Sequence, residues 1–107
     1  MKKKIYVDIA YGRDKKIKGY ILDISKTGAA IASPAGIKKG ALLKISFKSL
    51  GLMLIKCKVV RVNKTVRKGY NYKIGIKFIS LDSIQKNILY GFISGLDKRK
   101  FFRLEFI

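Results

Sequence analysis

Two short stretches hold the side chains best suited to polar recognition of a ligand. Asp23-Ile24-Ser25-Lys26-Thr27-Gly28 lies near the start of the chain, and Arg99-Lys100-Phe101-Phe102-Arg103 lies near its end. As patterns they read D-x-S-x-x-G and R-x-x-x-R. Aspartate and serine ahead of a glycine are ordinary turn formers, because their oxygens bond to nearby backbone amides. Two arginines four residues apart often make only a solvated basic face. An arginine fork nevertheless matches phosphate oxygens and guanine edges with paired hydrogen bonds, which lysine cannot do.

Most other chemistry has no candidates. The chain has no histidine, the single cysteine Cys57 and six acids. A zinc site lacks ligands, and Ser-His-Asp or Cys-His catalysis is impossible without histidine. Paired-carboxylate acid–base work stays formally open, but the acids are scattered. The reading is a non-enzyme without a cofactor. Lysine and arginine number 25, giving a net charge of +19. Such a field attracts nucleotides, nucleic acid, acidic lipid or an acidic protein. Twenty of the 25 are lysines spread along the chain, so the five arginines carry more information.

The 107 residues suffice for one small domain, and 49% hydrophobic content supports a core. No apolar run approaches the ~20 residues of a membrane-spanning helix. Asp8 interrupts the apolar stretch after the basic Met1-Lys2-Lys3-Lys4 start, which does not read as a signal peptide. The lone Cys57 excludes an internal disulfide, fits a reducing, cytoplasmic setting, and reads as a core residue.

The elements that must position the two motifs follow from periodicity. Ile5 to Tyr11 alternates as a half-buried strand does. Gly12-Arg13-Asp14 turns into a second strand, Lys16 to Ile24. The Ser25–Gly28 turn leads to a third, Ala29 to Ser33. Pro34, Gly36 and Gly40 mark a loop. A fourth strand spans Ala41 to Phe47, and a turn near Gly51 precedes a fifth, Leu52 to Asn63. There Ile55, Cys57 and Val59 face in, while Lys56 and Lys58 face out. Lys64 to Gly69 turns again, and Tyr70 to Ile79 is the sixth strand, with Ile74, Ile76 and Phe78 inward. The period then changes. Asp82 and Gln85 make a capping box. Ile84, Ile88, Leu89, Phe92, Ile93 and Leu96 form a helical apolar stripe, and Gly95 is a natural stop. The expected architecture is mainly β: six antiparallel strands in a small barrel with one C-terminal amphipathic helix.

Over nearly its whole length this pattern resembles the PilZ domain family, small β-barrels that bind the bacterial second messenger cyclic di-GMP. The two motifs carry the resemblance. So do Gly19-Tyr20-Ile21-Leu22-Asp23-Ile24-Ser25, which looks like the family's strand entering the first motif, and Ile74-Gly75-Ile76-Lys77-Phe78 followed by a helix. The resemblance implies a cyclic di-GMP receptor or adaptor that signals by changing shape, with a possible effector protein as partner. It implies that Asp23 and Ser25 contact a guanine edge and backbone, that Gly28 allows a tight turn, and that Arg99 and Arg103 hold phosphates and guanine edges. Phe101 and Phe102 read as packing residues.

One feature departs from the family: R-x-x-x-R normally lies upstream of D-x-S-x-x-G, and here it lies downstream. Residues 1–96 are expected to form the barrel and helix, and residues 97–107 an arginine-motif segment. Joined end to start, Arg99 to Ile107 followed by Met1 to Val7 reads as a family member begins. The chain is therefore expected to be a circular permutant or an equivalent wrap-around. The alternatives are a first domain of a tandem pair, or a segment that reaches a neighbouring molecule. Alternation of Leu104, Phe106 and Ile107 with Arg103 and Glu105 suggests a short strand there. Two rival functions remain open. One is a basic nucleic-acid-binding barrel, with Tyr6, Tyr11, Tyr20, Tyr70 and Tyr72 as stacking surfaces. The other is a PilZ-like adaptor that no longer binds nucleotide.

Overall fold

The computed structural model describes residues 4–47 and 51–99. Six strands precede one helix: β1 Tyr6–Tyr11, β2 Lys15–Ile24, β3 Gly28–Ser33, β4 Leu42–Phe47, β5 Leu52–Arg67, β6 Tyr70–Ser80 and α1 Ser83–Arg99. All neighbouring strands are antiparallel. They close into a barrel in the order β1-β2-β3-β6-β5-β4. Among the described residues, closure leaves no edge strand to template aggregation.

Alternation decides what fills the barrel. Ile9 on β1, Ile24 on β2, Ile31 on β3, Ile45 on β4, Ile55 and Val59 on β5, and Ile74 on β6 are all buried in one core. The expected inward set on β5 holds: Ile55, Cys57 and Val59 are buried while Lys56 and Lys58 are exposed. The same holds for Ile74, Ile76 and Phe78 on β6. Burial pushes the Cys57 thiol up to about 12, as desolvation of a thiolate must.

Helix α1 closes one end of the barrel through Leu89 and Ile93, both buried in the core. Its start carries the expected capping box. The Gln85 amide donates to Asp82 Oδ1 at 2.7 Å, and the Asp82 amide donates to Gln85 Oε1 at 3.1 Å.

Three expectations need correction. Strand β5 runs on to Arg67, so the turn shrinks to Lys68-Gly69, where Gly69 has φ +79°. Thr65 Oγ donates to the Tyr70 carbonyl at 3.0 Å, and the pairing of Arg67 with Tyr70 extends the hairpin. A polar, lysine-rich stretch can therefore stay in strand when its ladder is satisfied. Ile84 is 71% exposed, since the stripe begins only where the helix meets the barrel. Gly95 does not end α1, which continues to Arg99. Phe101, Phe102, Arg103 and the proposed strand at Leu104–Ile107 lie outside the described residues.

Candidate functional site

The D-x-S-x-x-G stretch is the β2–β3 connection, and each of its side chains has a structural cause. Ser25 organises the turn. Its amide donates to the Gly28 carbonyl at 2.9 Å. Its Oγ accepts from the Thr27 and Gly28 amides, each at 3.3 Å. This is the side-chain turn chemistry anticipated from the residue types. The turn is pinned to β6, because the Phe78 amide donates to the Thr27 carbonyl at 2.9 Å. Lys26 reaches from the turn to α1, with its Nζ 5.1 Å from the centre of the Tyr90 ring.

Gly28 serves a purpose other than the one expected. Its φ is not positive, so the turn does not demand glycine. It is the first residue of β3, and a Cβ there would run into the carbonyl of Ile76 on β6. Close approach of two strands, not turn geometry, requires glycine.

Asp23 owes its position to a β-bulge. Ile21 pairs with Ile31, yet Asp23 pairs with Ala30, so Leu22 is an extra residue. With unbroken register Asp23 would pair with Ala29, whose side chain lies in the core. The bulge re-aims Asp23 to the row of Ala30, on the outer face of the barrel. There it is 4% exposed.

A second bulge acts on the far side of the same row. Val59 pairs with Ile76 and Arg61 with Gly75, leaving Val60 as the extra residue. Without it Arg61 would sit opposite the buried Ile74. Ala30 in turn pairs with Gly75. The outer face therefore carries a continuous cross-strand row, Asp23–Ala30–Gly75–Arg61. Its ends lie about 14 Å apart at the usual strand spacing. Gly75 lets Arg61 come close: a Cβ on Gly75 would stand 3.2 Å from that of Arg61.

The adjacent outer row is Gly28–Lys77–Lys58. Beside it opens a cleft of about 420 Å³ between the motif turn, the end of β6 and α1. Lys26, Thr27, Lys77, Lys86 and Tyr90 line it. The site thus combines a carboxylate, a hydroxyl-organised turn, small outward residues and several cations. Such a surface suits a ligand with flat polar edges and negative charge.

Sequence reasoning singled out Asp23, Ser25 and Gly28, and the structure brings these together. It missed Arg61, Gly75, Lys77 and Tyr90. Only the strand pairing and two bulges reveal the first three, and only helix docking reveals the last. Arg99 is the last residue of α1. Arg103 lies outside the described residues.

Of the tyrosines, Tyr6 is 46% exposed, while Tyr11, Tyr70 and Tyr72 are half-buried. Tyr20 is 9% exposed and meets the rings of Tyr6 and Tyr70 edge-on, at centroid separations of 6.1 and 4.9 Å. Tyr72 lies against Gly36. Among the described residues there is no cluster of histidine, cysteine or acids that could hold a metal. No helix there is long and apolar enough to cross a membrane.

Comparison with known proteins agrees with this architecture. Solved PilZ-domain structures share the fold. The PilZ domain of YcgR from Escherichia coli, determined with c-di-GMP, matches with a TM-score of 0.67 and 12% identity, over 91% of this chain and 84% of that one. The PilZ domain of CeSA from a cellulose-synthesizing bacterium matches with a TM-score of 0.59 and 16% identity, over 91% and 96%. No curated protein matches. The PilZ domain family model matches residues 2–95, which include the D-x-S-x-x-G turn and the whole barrel but neither Arg99 nor Arg103. With its six-stranded barrel and motif turn inside that span, the chain belongs to the PilZ domain family.

Proposed function

We propose that this chain is a cyclic di-GMP receptor or adaptor domain, and that it binds the nucleotide on the outer face around the β2–β3 turn. The observation that carries the reading is the row Asp23–Ala30–Gly75–Arg61. Two bulges deliver a carboxylate and a guanidinium to its ends, with the smallest residues between them, beside the Ser25 turn. A carboxylate suits the N1–H and exocyclic amine of guanine, and a guanidinium suits phosphate or a guanine edge. The YcgR neighbour, which carries c-di-GMP, adds support through the shared fold.

Asp23, Ser25 and Gly28 form one half of the site in this reading. Arg99 and Arg103, in segment 97–107, supply the other half from the end of α1. The Lys26–Tyr90 contact gives a route between the halves, because it joins the motif turn to the helix that leads to the arginines. Ligand binding changes the surface offered to an effector protein. The role is a receptor's rather than a catalyst's.

Isothermal titration at moderate salt tests this. Heat with cyclic di-GMP, and much weaker binding of GTP, GMP and cyclic di-AMP, is expected. No heat, or equal binding of all four, refutes it. Whether the arginines serve their own chain is a separate measurement. A variant lacking Arg99 and Arg103 is unfolded and refolded together with Asp23→Ala. A self-contained monomer stays inactive in the mixture, whereas recovered binding identifies an exchanged dimer.

A further inference from the structure

We infer that the opposite face of the barrel, centred on β1 and β4, is a docking surface for an anionic lipid bilayer. In the closed order β1-β2-β3-β6-β5-β4, the β1/β4 pair lies across the barrel from β3/β6, which carry the proposed nucleotide site. The two surfaces adjoin at Ile79, which lines a cleft on each side.

Strand pairing stacks lysines on this face. Lys16 flanks Ala10 on one side and Lys44 on the other. Lys44 is paired directly with Lys56. Like charges directly opposite each other weaken a sheet, so this arrangement does not arise from stability. The small Ala10 leaves a trough between its lysine walls. Two clefts of about 640 and 460 Å³ open along this face, and Lys16 and Lys44 line both. Asp8 and Asp14 are the acids that line them.

Large aliphatic side chains sit among these lysines and project into solvent. Leu42 is 66% exposed, Leu54 60% and Ile79 52%. Leu42 and Ile79 line the larger cleft and Leu54 the smaller. Leu54 is also held in a left-handed backbone conformation, φ +54°, which a bulky residue rarely adopts. The Ser46 hydroxyl accepts its amide at 3.0 Å and fixes it there. A strained backbone that presents a leucine outward is the kind of outlier that accompanies function.

Lysines with interspersed aliphatics match one occupant best. Lysine ammonium groups attract anionic headgroups, and exposed leucine and isoleucine enter the acyl boundary beneath them. Nucleic acid is favoured less, because it rewards aromatic stacking and arginine forks rather than aliphatics. A second copy of a +19 chain would bring repulsion.

Co-sedimentation of the full chain with phosphatidylcholine vesicles, with and without phosphatidylglycerol, tests the inference. Binding only to the anionic vesicles, falling as salt rises, is expected. Lys16→Glu with Lys44→Glu should cut partitioning by about tenfold or more. Folding is guarded, because Lys44→Glu turns the pair with Lys56 into opposite charges. Lys64→Glu with Lys68→Glu makes the same change in net charge on the β5–β6 hairpin and should have much less effect. Leu42→Ser and Leu54→Ser should each reduce partitioning without altering charge. Cyclic di-GMP titration of the Lys16/Lys44 variant should match the wild type. The inference is overturned if no vesicle binds, if both lysine pairs matter equally, or if neither leucine matters. It is also overturned if oligothymidylate or polyglutamate binds through Lys16 and Lys44 while anionic vesicles do not.

Discussion

Asp23 and Arg61 stand at opposite ends of one cross-strand row on the barrel exterior, each brought there by a single extra residue in its strand. Leu22 is the inserted residue on β2 and Val60 on β5. Between them lie only Ala30 and Gly75, both buried, as Asp23 is. Removing either bulge would turn its charged residue toward the core, at a cost of several kcal/mol for an unpaired buried ion. The bulges thus place both charged groups of the proposed site on the barrel exterior.

The first prediction concerns Arg61. Arg61→Ala should weaken cyclic di-GMP binding by roughly 1.5–3 kcal/mol, the range for hydrogen bonds to a charged group. Arg99→Ala and Arg103→Ala should each cost a similar amount. Lys56 lines the larger cleft and not the motif-turn cleft, so Lys56→Ala should change binding little. Titration calorimetry with matched thermal melts separates binding from folding, since Arg61 is exposed and should leave the melting temperature nearly unchanged. Equal losses at Lys56 and Arg61 would point to diffuse charge instead of a site.

The second contrasts two glycines. Gly28→Ala pushes a methyl into the Ile76 carbonyl and must spread β3 from β6, a loss of about 1–3 kcal/mol. Gly91 lies inside α1, where an added Cβ meets nothing within 4 Å. Gly91→Ala should therefore stabilise by about 0.5–1 kcal/mol through helix propensity. Urea denaturation of both variants should give shifts of opposite sign.

The third uses Cys57. Its thiol should resist Ellman's reagent in the folded protein at pH 8 and react at once in denaturant. Its pKa is raised from 9.0 to about 12 by burial. Below pH 9 both folded and unfolded chains keep the proton, so it causes no pH dependence. Between pH 9 and 12 the unfolded chain loses the proton first, and stability falls by up to about 1.4 kcal/mol per pH unit. Because lysines also titrate there, the quantity to measure is the difference between wild type and Cys57→Ala. The alanine variant is less stable at neutral pH, and that gap should narrow above pH 9.

Residue types and period sufficed for the elements. Alternation along Ile55–Val59 and Ile74–Phe78 has one stable outcome, because a one-residue slip would put lysines into the core. Asp82 and Gln85 capped α1 as their spacing requires, a contact contained within four residues. Ser25 made its turn for the same local reason. Closure and bulge placement were decided elsewhere. The end of β5 depends on its ladder with β6, and α1 passes Gly95 although glycine is a common stop. Gly28 answers to Ile76, which is 48 positions away in the chain. Asp23 was legible as a candidate, but its outward aim was not, and Arg61 was one basic residue among 25. Local chemistry is written in neighbouring residues. Which side chains share a row depends on strand register, and one extra residue reverses it, so that relation exists only once the barrel has closed.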